Sequence, residues 1–407
     1  MRPNLVTNLK GMVISMLNLL KNHEFRNFFF ADIISSFGVG MTTVGANWYL
    51  LAQTHSNKYV GIYLTLNVLA GFLMAPLAGS ITDRFSRKTV IFITFLVRSG
   101  LIALIALYFA ITGFSLWLMY LLALITGAGW ITYMAASRSY VQTVLPKGML
   151  GSANSFIEIS LQVGMFTAGA ASGVILHYTG FTVILVINAL VFLVSSLLIV
   201  KIKKDPPSMT QGTNSGFKGG LKYVLHNRLV LIVGLLSILP LIVTQLFNVS
   251  SPDYVATILR SNSVAYGFAD MSYGIGGLVS GLLMANILKK FKKKMITITL
   301  FGLVVLALIA LFLGHQISLM YAASFLIGLA NSSLRIVLNT ILMTHIDGQF
   351  MGRATSLWNG LAQFIEIFAS TYIGILNDSY GANYGFLCMA FIMAIGMFLT
   401  TAMSKNS

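Results

Sequence analysis

Apolar runs of about 20 residues recur roughly every 30 residues along this chain, and each is as long as an α-helix must be to cross about 30 Å of hydrocarbon. Residues 297–313, TITLFGLVVLALIALFL, are apolar on every face. A membrane β-barrel would instead show segments of about ten residues alternating in polarity, so spanning helices are expected. Composition agrees: the 407 residues are 57% hydrophobic and only 9% charged, where soluble domains carry about 25% charged residues. The expected fold class is all-α membrane protein.

Twelve spans are predicted, the first six near 27–51, 59–82, 88–112, 115–138, 152–176 and 181–200. Six more follow near 228–250, 264–288, 295–314, 317–343, 353–376 and 382–403. The net charge of +16 raises the question of a polyanionic partner, and the placement of the basic residues answers it. With a cytoplasmic N-terminus, the inner loops hold Arg84, Arg87 and Lys88, then Lys201, Lys203, Lys204, Lys218, Lys222 and Arg228, then Lys289, Lys290 and Lys292 to Lys294. The outer loops keep only Lys58 and Arg260. This positive-inside asymmetry places both termini in the cytoplasm and accounts for most of the charge, so no nucleic-acid partner is expected. The single cysteine, Cys388, lies inside the last run, which excludes a disulfide framework and a Cys/His metal cluster. Residues 5–20 read as a weakly amphipathic interfacial helix, and no cleaved signal peptide is expected.

The polar stretch 201–227, rich in Pro, Gly and Ser, reads as a linker between two halves. The expected organisation is an interfacial segment (1–26), a first six-helix bundle (27–200), the linker (201–227), a second bundle (228–403) and a short tail (404–407). Sliding one half on the other by 201 residues aligns Leu118-Met119-Tyr120 with Leu319-Met320-Tyr321 and Gly127 with Gly328. The same register pairs Gly151 with Gly352, Ala153 with Ala354, Ser155 with Ser356, Gln162 with Gln363, Gly173 with Gly374, and Gly180 with Gly381. Two pseudo-symmetric six-helix bundles, with a substrate site between them near the midplane, are one of the repeat plans of secondary transporters.

Between spans two and three the chain reads Gly79-Ser-Ile-Thr-Asp83-Arg84-Phe-Ser86-Arg87-Lys88, which resembles the G-x-L-a-D-r-x-G-r-K loop of the major facilitator superfamily. A degraded copy, Lys289-Lys290-Phe291-Lys292-Lys293-Lys294, follows span eight, at an offset near 206. Ser86 replaces the usual second glycine. Asp83 is expected to pair with the basic cluster and cap a helix start, making Gly79, Asp83, Arg84, Arg87 and Lys88 a conformational latch; the alternative is that the basic residues only set topology. Residues 131–156 resemble the stretch after the fourth span in the drug and macrolide efflux branch, which also includes siderophore exporters. That branch's glycine-proline signature is half present: Gly164, Gly169 and Gly173 stand in span five, without the proline. The resemblance implies a multi-pass protein of the cytoplasmic (inner) membrane, bacterial and monomeric, with lipid around it and a small-molecule substrate. It needs no bound cofactor, because the proton gradient supplies the energy.

Acidic residues inside spans are costly and usually functional, and four of the ten are there: Asp32, Glu158, Asp270 and Glu366. In span one Asp32, Ser36, Thr43 and Asn47 share a helical face, which is expected to line the cavity. Span five repeats the pattern with Asn154, Glu158 and Gln162, and span eleven with Asn359, Gln363, Glu366 and Ser370. A carboxylate that moves between wet and dry surroundings changes its proton affinity, so Asp32, Glu366 and Glu158 are the proton-coupling candidates, with local capping the alternative for Asp32. Asp270 is expected nearer the outer surface, as a gate or a bystander. Arg98 and Arg335 are buried arginines that call for partners, either a carboxylate on another helix or an anionic substrate. Arg138 is placed to neutralise Glu158. Asn331 and Asn339 flank Arg335. Trp130 and Trp358 are candidates for a cavity wall, while Trp48 reads as an interface-belt residue.

The function expected from these features is proton-coupled export of a bulky amphipathic small molecule, such as an antibiotic or a metallophore. A nutrient importer shares every composition argument, and a channel or lipid scramblase could also use polar faces. No H-E-x-x-H, Gly-x-Ser-x-Gly or phosphate-binding G-x-x-x-x-G-K-S/T motif is present, which argues against a membrane enzyme or an ATP-driven pump.

Overall fold

The computed structural model describes residues 21–145, 150–202, 227–346 and 348–401, and these contain twelve α-helices and no strand. The first half comprises α1 (His23–Thr54), α2 (Asn57–Arg84), α3 (Arg87–Thr112), α4 (Leu116–Val144), α5 (Leu150–Thr179) and α6 (Phe181–Val200). The second comprises α7 (Arg228–Asp253), α8 (Ser263–Lys290), α9 (Lys293–Leu313), α10 (Ile317–His345), α11 (Gly348–Tyr380) and α12 (Ala382–Thr401). The predicted interfacial helix, most of the linker and the tail lie outside the described residues.

Several boundaries move outward from the hydropathic runs. Helix α1 starts at His23 because the Asn22 side chain accepts hydrogen bonds from the backbone N–H groups of Glu24 (3.0 Å) and Phe25 (3.3 Å), an N-cap that hydropathy does not register. Helix α4 continues past its apolar run to Val144, and α11 begins ahead of its own, at Gly348. Ten of the helices are apolar enough to cross a membrane on length and composition alone. The other two, α5 and α11, are repeat mates with the polar faces noted above. Elsewhere large apolar side chains point outward, among them Leu104, Ile111, Leu306 and Phe398, as lipid contact requires.

The halves repeat in their packing as well as their order. Within each, the first helix packs on the fifth, the second on the fourth and the third on the sixth. Between them lie two main seams, α2 against α11 and α5 against α8. The repeat holds at single residues: Gly127 lets α4 approach the Asn67 carbonyl of α2, and its mate Gly328 lets α10 approach the Tyr273 carbonyl of α8. Gly374 lies against the Asn57 carbonyl and its mate Gly173 against the Ser263 carbonyl, so both seams use the same contact. Gly180 (φ 86°) and Gly381 (φ 103°) make the equivalent left-handed turns before α6 and α12, a conformation that strongly favours glycine. On the pseudo-twofold axis the mates touch each other: the Asn47 amide donates to the Asn248 carbonyl at 3.3 Å.

Candidate functional site

The bundle has two chemically different ends. One carries the α2–α3 and α8–α9 connections with their lysines and arginines and is the basic end; the other, with the α1–α2 and α7–α8 connections, is the distal end. At the distal end the halves are zipped together. Thr65 of α2 donates to the Ile367 carbonyl of α11 at 2.8 Å, Ser263 of α8 donates to the Gly173 carbonyl of α5 at 2.9 Å, and Trp48 stacks on Tyr266 with centroids 5.7 Å apart. Trp48, read from sequence as an interface-belt residue, therefore bridges the halves. Towards the basic end the seams part: a side chain added at Gly79, Gly281 or Gly360 would meet nothing within 4 Å.

Between the halves lies a cavity of about 210 Å³. Its walls include Thr43 of α1, Gln162 of α5, Thr244 and Asn248 of α7, Asp270 and Tyr273 of α8, and Asn331 and Arg335 of α10. Thr43 and Thr244 are repeat mates, so the roof is built twice from the same register. Thr244 and Tyr273 share a hydroxyl contact of 2.8 Å, and the Asn331 amide reaches both at 3.4 Å. Asp270 and Arg335 make no hydrogen bond or ion pair with any described residue, which leaves one negative and one positive group facing the cavity. At about 1.5 Å per residue, Asp270 lies about 10 Å from the distal end of α8 and Arg335 about 27 Å from that end of α10.

Four residues expected to line the cavity, Thr43, Gln162, Asn331 and Arg335, do line it. Asp270, expected near the surface, lies deeper, with its carboxylate against Gly169. Others are placed elsewhere. Ser36 is 1% exposed and packs on Gly164 inside the first half, and Trp358 is 4% exposed with its indole over Gly234 of α7. Trp130 packs against Tyr133. None of the three is on the cavity wall, because helical spacing tells which residues share a face and not which neighbour that face meets. Asn359 is exposed on α11, and Gln363 and Glu366 are half-buried there, also outside this wall. The side chains of Asn154 and Glu158 lie outside the described residues, so the expected Arg138–Glu158 pair lies outside them too; Arg138 itself is exposed.

Asp32 is 1% exposed and faces inward among α1, α4 and α5, where the hydroxyls of Tyr133 and Ser160 both donate to its carboxylate. It does not line the cavity as expected. Among the described residues Arg98 has no carboxylate partner: its guanidinium sits 3.9 Å from the centroid of the Phe192 ring, and its Nε and Nη2 are buried without hydrogen-bond partners. The expected interhelix ion pair is replaced by a cation–π contact.

The loop signature also differs from expectation. Asp83 is exposed and makes no ion pair with the cluster around it; the cap of α3 is Ser86, whose hydroxyl accepts from the Thr89 N–H at 3.2 Å. Ser86, the departure from the family pattern, thus does the work expected of Asp83. Arg87 is buried and donates to Ser139 of α4 at 2.9 Å, and Lys88 donates to the carbonyls of Val200, the last residue of α6, and of Ile202 just beyond it. These bonds tie the first half together internally.

One distal group escaped the sequence reading. Asp378, at the end of α11, accepts hydrogen bonds from the Ser56 hydroxyl (2.5 Å) and the backbone N–H groups of Asn57 (2.6 Å) and Lys58 (3.1 Å), the start of α2 in the opposite half. Asp378 lies beyond the predicted span and more than 300 residues from its partners, so no local pattern in the sequence marks it.

Comparison with known proteins bears on the whole arrangement. The family profile described as Major Facilitator Superfamily matches residues 28–254 and 235–405. The chain is 22% identical to the multidrug efflux pump Tap of Mycobacterium tuberculosis over 376 residues, covering 89% of this chain and 88% of that protein. It is 22% identical to the staphyloferrin A transporter of Staphylococcus aureus over 350 residues, covering 81% and 84%. Among solved structures, that of a D-xylose-proton symporter superposes with a TM-score of 0.75 at 15% identity, over 94% of this chain and 98% of that one.

Proposed function

The chain belongs to the Major Facilitator Superfamily, and from that premise we propose that it exports a bulky amphipathic small molecule in exchange for protons, by alternating access. That it is a membrane-spanning transporter and not an enzyme follows from the family. The finer reading rests chiefly on one observation: a cavity between the halves, roofed at the distal end, whose apolar and amide walls carry a single carboxylate and a single guanidinium among the described residues. In this reading the basic end is cytoplasmic, which makes the conformation inward-facing and lets substrate enter from the cytoplasm of a bacterial inner membrane. Asp270, at the blind end of the cavity, exchanges the proton, and Arg335, nearer the mouth, contacts an electronegative group of the substrate. Asp32, buried, and Glu366, half-buried, are carboxylates off the cavity wall, in reserve for the same coupling. The similarity to the multidrug efflux pump Tap supports a drug-like substrate and export as the direction, and the similarity to the staphyloferrin A transporter supports a metallophore as the substrate class.

The test is flux in sealed vesicles of both orientations, loaded with macrolides, cationic dyes or iron-chelating metabolites under an imposed pH gradient. Proton-driven export predicts uptake into inverted vesicles that collapses with a protonophore. Uptake driven only into right-side-out vesicles would mean import, and flux indifferent to the gradient would mean a facilitator, channel or scramblase.

A further inference from the structure

Helix α2 starts at the distal rim with Ser56 in the N-cap position, where a serine hydroxyl ordinarily accepts from the first exposed N–H groups of its own helix. Here it makes no such bond. The hydroxyl instead donates to Asp378, and the Asp378 carboxylate takes over the N–H groups of Asn57 and Lys58. A helix of the first half is therefore capped by a side chain of the second. The cap is a carboxylate at a helix N-terminus, a position the helix dipole favours for an acidic side chain.

The bond exists only while the distal ends touch, since Asp378 rides on α11 and Ser56 on α2. When the halves part, Ser56 can rotate back to cap its own helix, so opening need not leave the α2 N-terminus bare. The other seam lacks the device. At the repeat offset of 201, the mate of Asp378 is His177; at the offset of 206 that relates α2 to α8, the mate of Ser56 is Asn262. Asn262 caps its own helix, accepting from the Ala265 N–H at 3.2 Å, and no acidic side chain from α5 intervenes.

We propose that Asp378 is the distal-gate residue of the transport cycle: its carboxylate, acting as the N-cap of α2 across the α2/α11 seam, holds the outer side closed while the cavity is open to the basic end. Asp378 is a positioning residue and touches no substrate. The proposal rests on the alternating-access reading given above.

The test is the distance between halves at the distal end. Spin labels at Thr112→Cys and His315→Cys, two exposed sites at distal helix ends in opposite halves, are introduced into the full chain carrying Cys388→Ser and measured by pulsed EPR in lipid vesicles. Asp378→Ala should raise the ratio of separated to closed populations by about fivefold or more, and Asp378→Asn, which keeps an acceptor and loses the charge, by about twofold. The shift should occur without a comparable fall in Tm, which a merely structural residue would lower while leaving the distances alone. If Asp378→Ala does not fold, Asp378→Asn decides. Distances that superimpose on wild type, while wild type itself switches under a pH gradient, overturn the gate and spare the transport reading. If neither wild type nor variant ever separates under any gradient, the gate and the alternating-access reading fall together.

Discussion

The α2/α11 and α5/α8 seams are built on the same backbone contacts and finished with different side chains. Gly61 meets the Ser370 carbonyl on one and Gly267 the Gly169 carbonyl on the other; Gly374 and Gly173 repeat the match a turn further out. Small residues at such crossings let helices approach to backbone contact, which is how helices associate in lipid, where the hydrophobic effect gives them no push. Both seams also carry a hydroxyl–carbonyl bond, Thr65 to Ile367 on one and Ser263 to Gly173 on the other; beyond that shared fit, α2/α11 adds the cross-half carboxylate cap, whereas on α5/α8 the helix start caps itself. Backbone fit is thus common to both closures, while the strength of each closure is set separately at the rim.

The sharpest way to break this comparison is to fill the shared contact. Gly61→Leu and Gly267→Leu should each hold the distal end apart and reduce transport more than about tenfold, with similar losses at the two seams, because a side chain there collides with backbone that cannot yield. Clearly unequal losses would show that the seams do not share the load of closure. Next in size, Asp270→Asn should cut pH-driven flux about tenfold while leaving Tm within a few degrees, since it removes the titrating group and keeps the shape. Unchanged flux would move the coupling role to Asp32 or Glu366. Asp32→Asn is expected to behave differently, costing about 1–3 kcal/mol of stability because the amide cannot accept from both Tyr133 and Ser160 as the carboxylate does. A smaller effect tests the asymmetry directly: His177→Asp combined with Asn262→Ser should transplant the cross-half cap onto the α5/α8 seam and favour the closed distal state by about twofold to threefold in the same EPR measurement. The smallest is a control away from both seams. Arg98→Met should leave transport within about twofold and hold or raise Tm, because the guanidinium is buried without an ionic partner among the described residues.

Much of this could be read from the chain. The twelve helices follow from hydropathy, and the repeat offset predicted pairs such as Gly173 with Gly374 and Gly180 with Gly381 that prove to be the same contact and the same turn. Thr43, Gln162, Asn331 and Arg335 were found because a polar group in an apolar helix is conspicuous. The misses have one physical origin. Ser36 and Asp32 do share a face with Thr43 by spacing, yet the face is wide enough that Thr43 meets the cavity while the other two meet α4 and α5. Trp358 looked like a cavity wall and instead fills a notch left by Gly234, a vacancy on another helix. Asp378 carries no signal of its own in the sequence, because what gives it a role is a helix start brought to it by the fold.

The central claim is that one cavity opens to one side at a time. It is tested most directly with Ser332→Cys, a position on the cavity wall, placed in the Cys388→Ser background and exposed to a membrane-impermeant thiol reagent from each face. The account predicts reaction at least about tenfold faster from the basic face at rest, with outer reactivity rising as basic reactivity falls when substrate and a pH gradient are applied. Simultaneous reaction from both faces would contradict it and make the polar interior a pore.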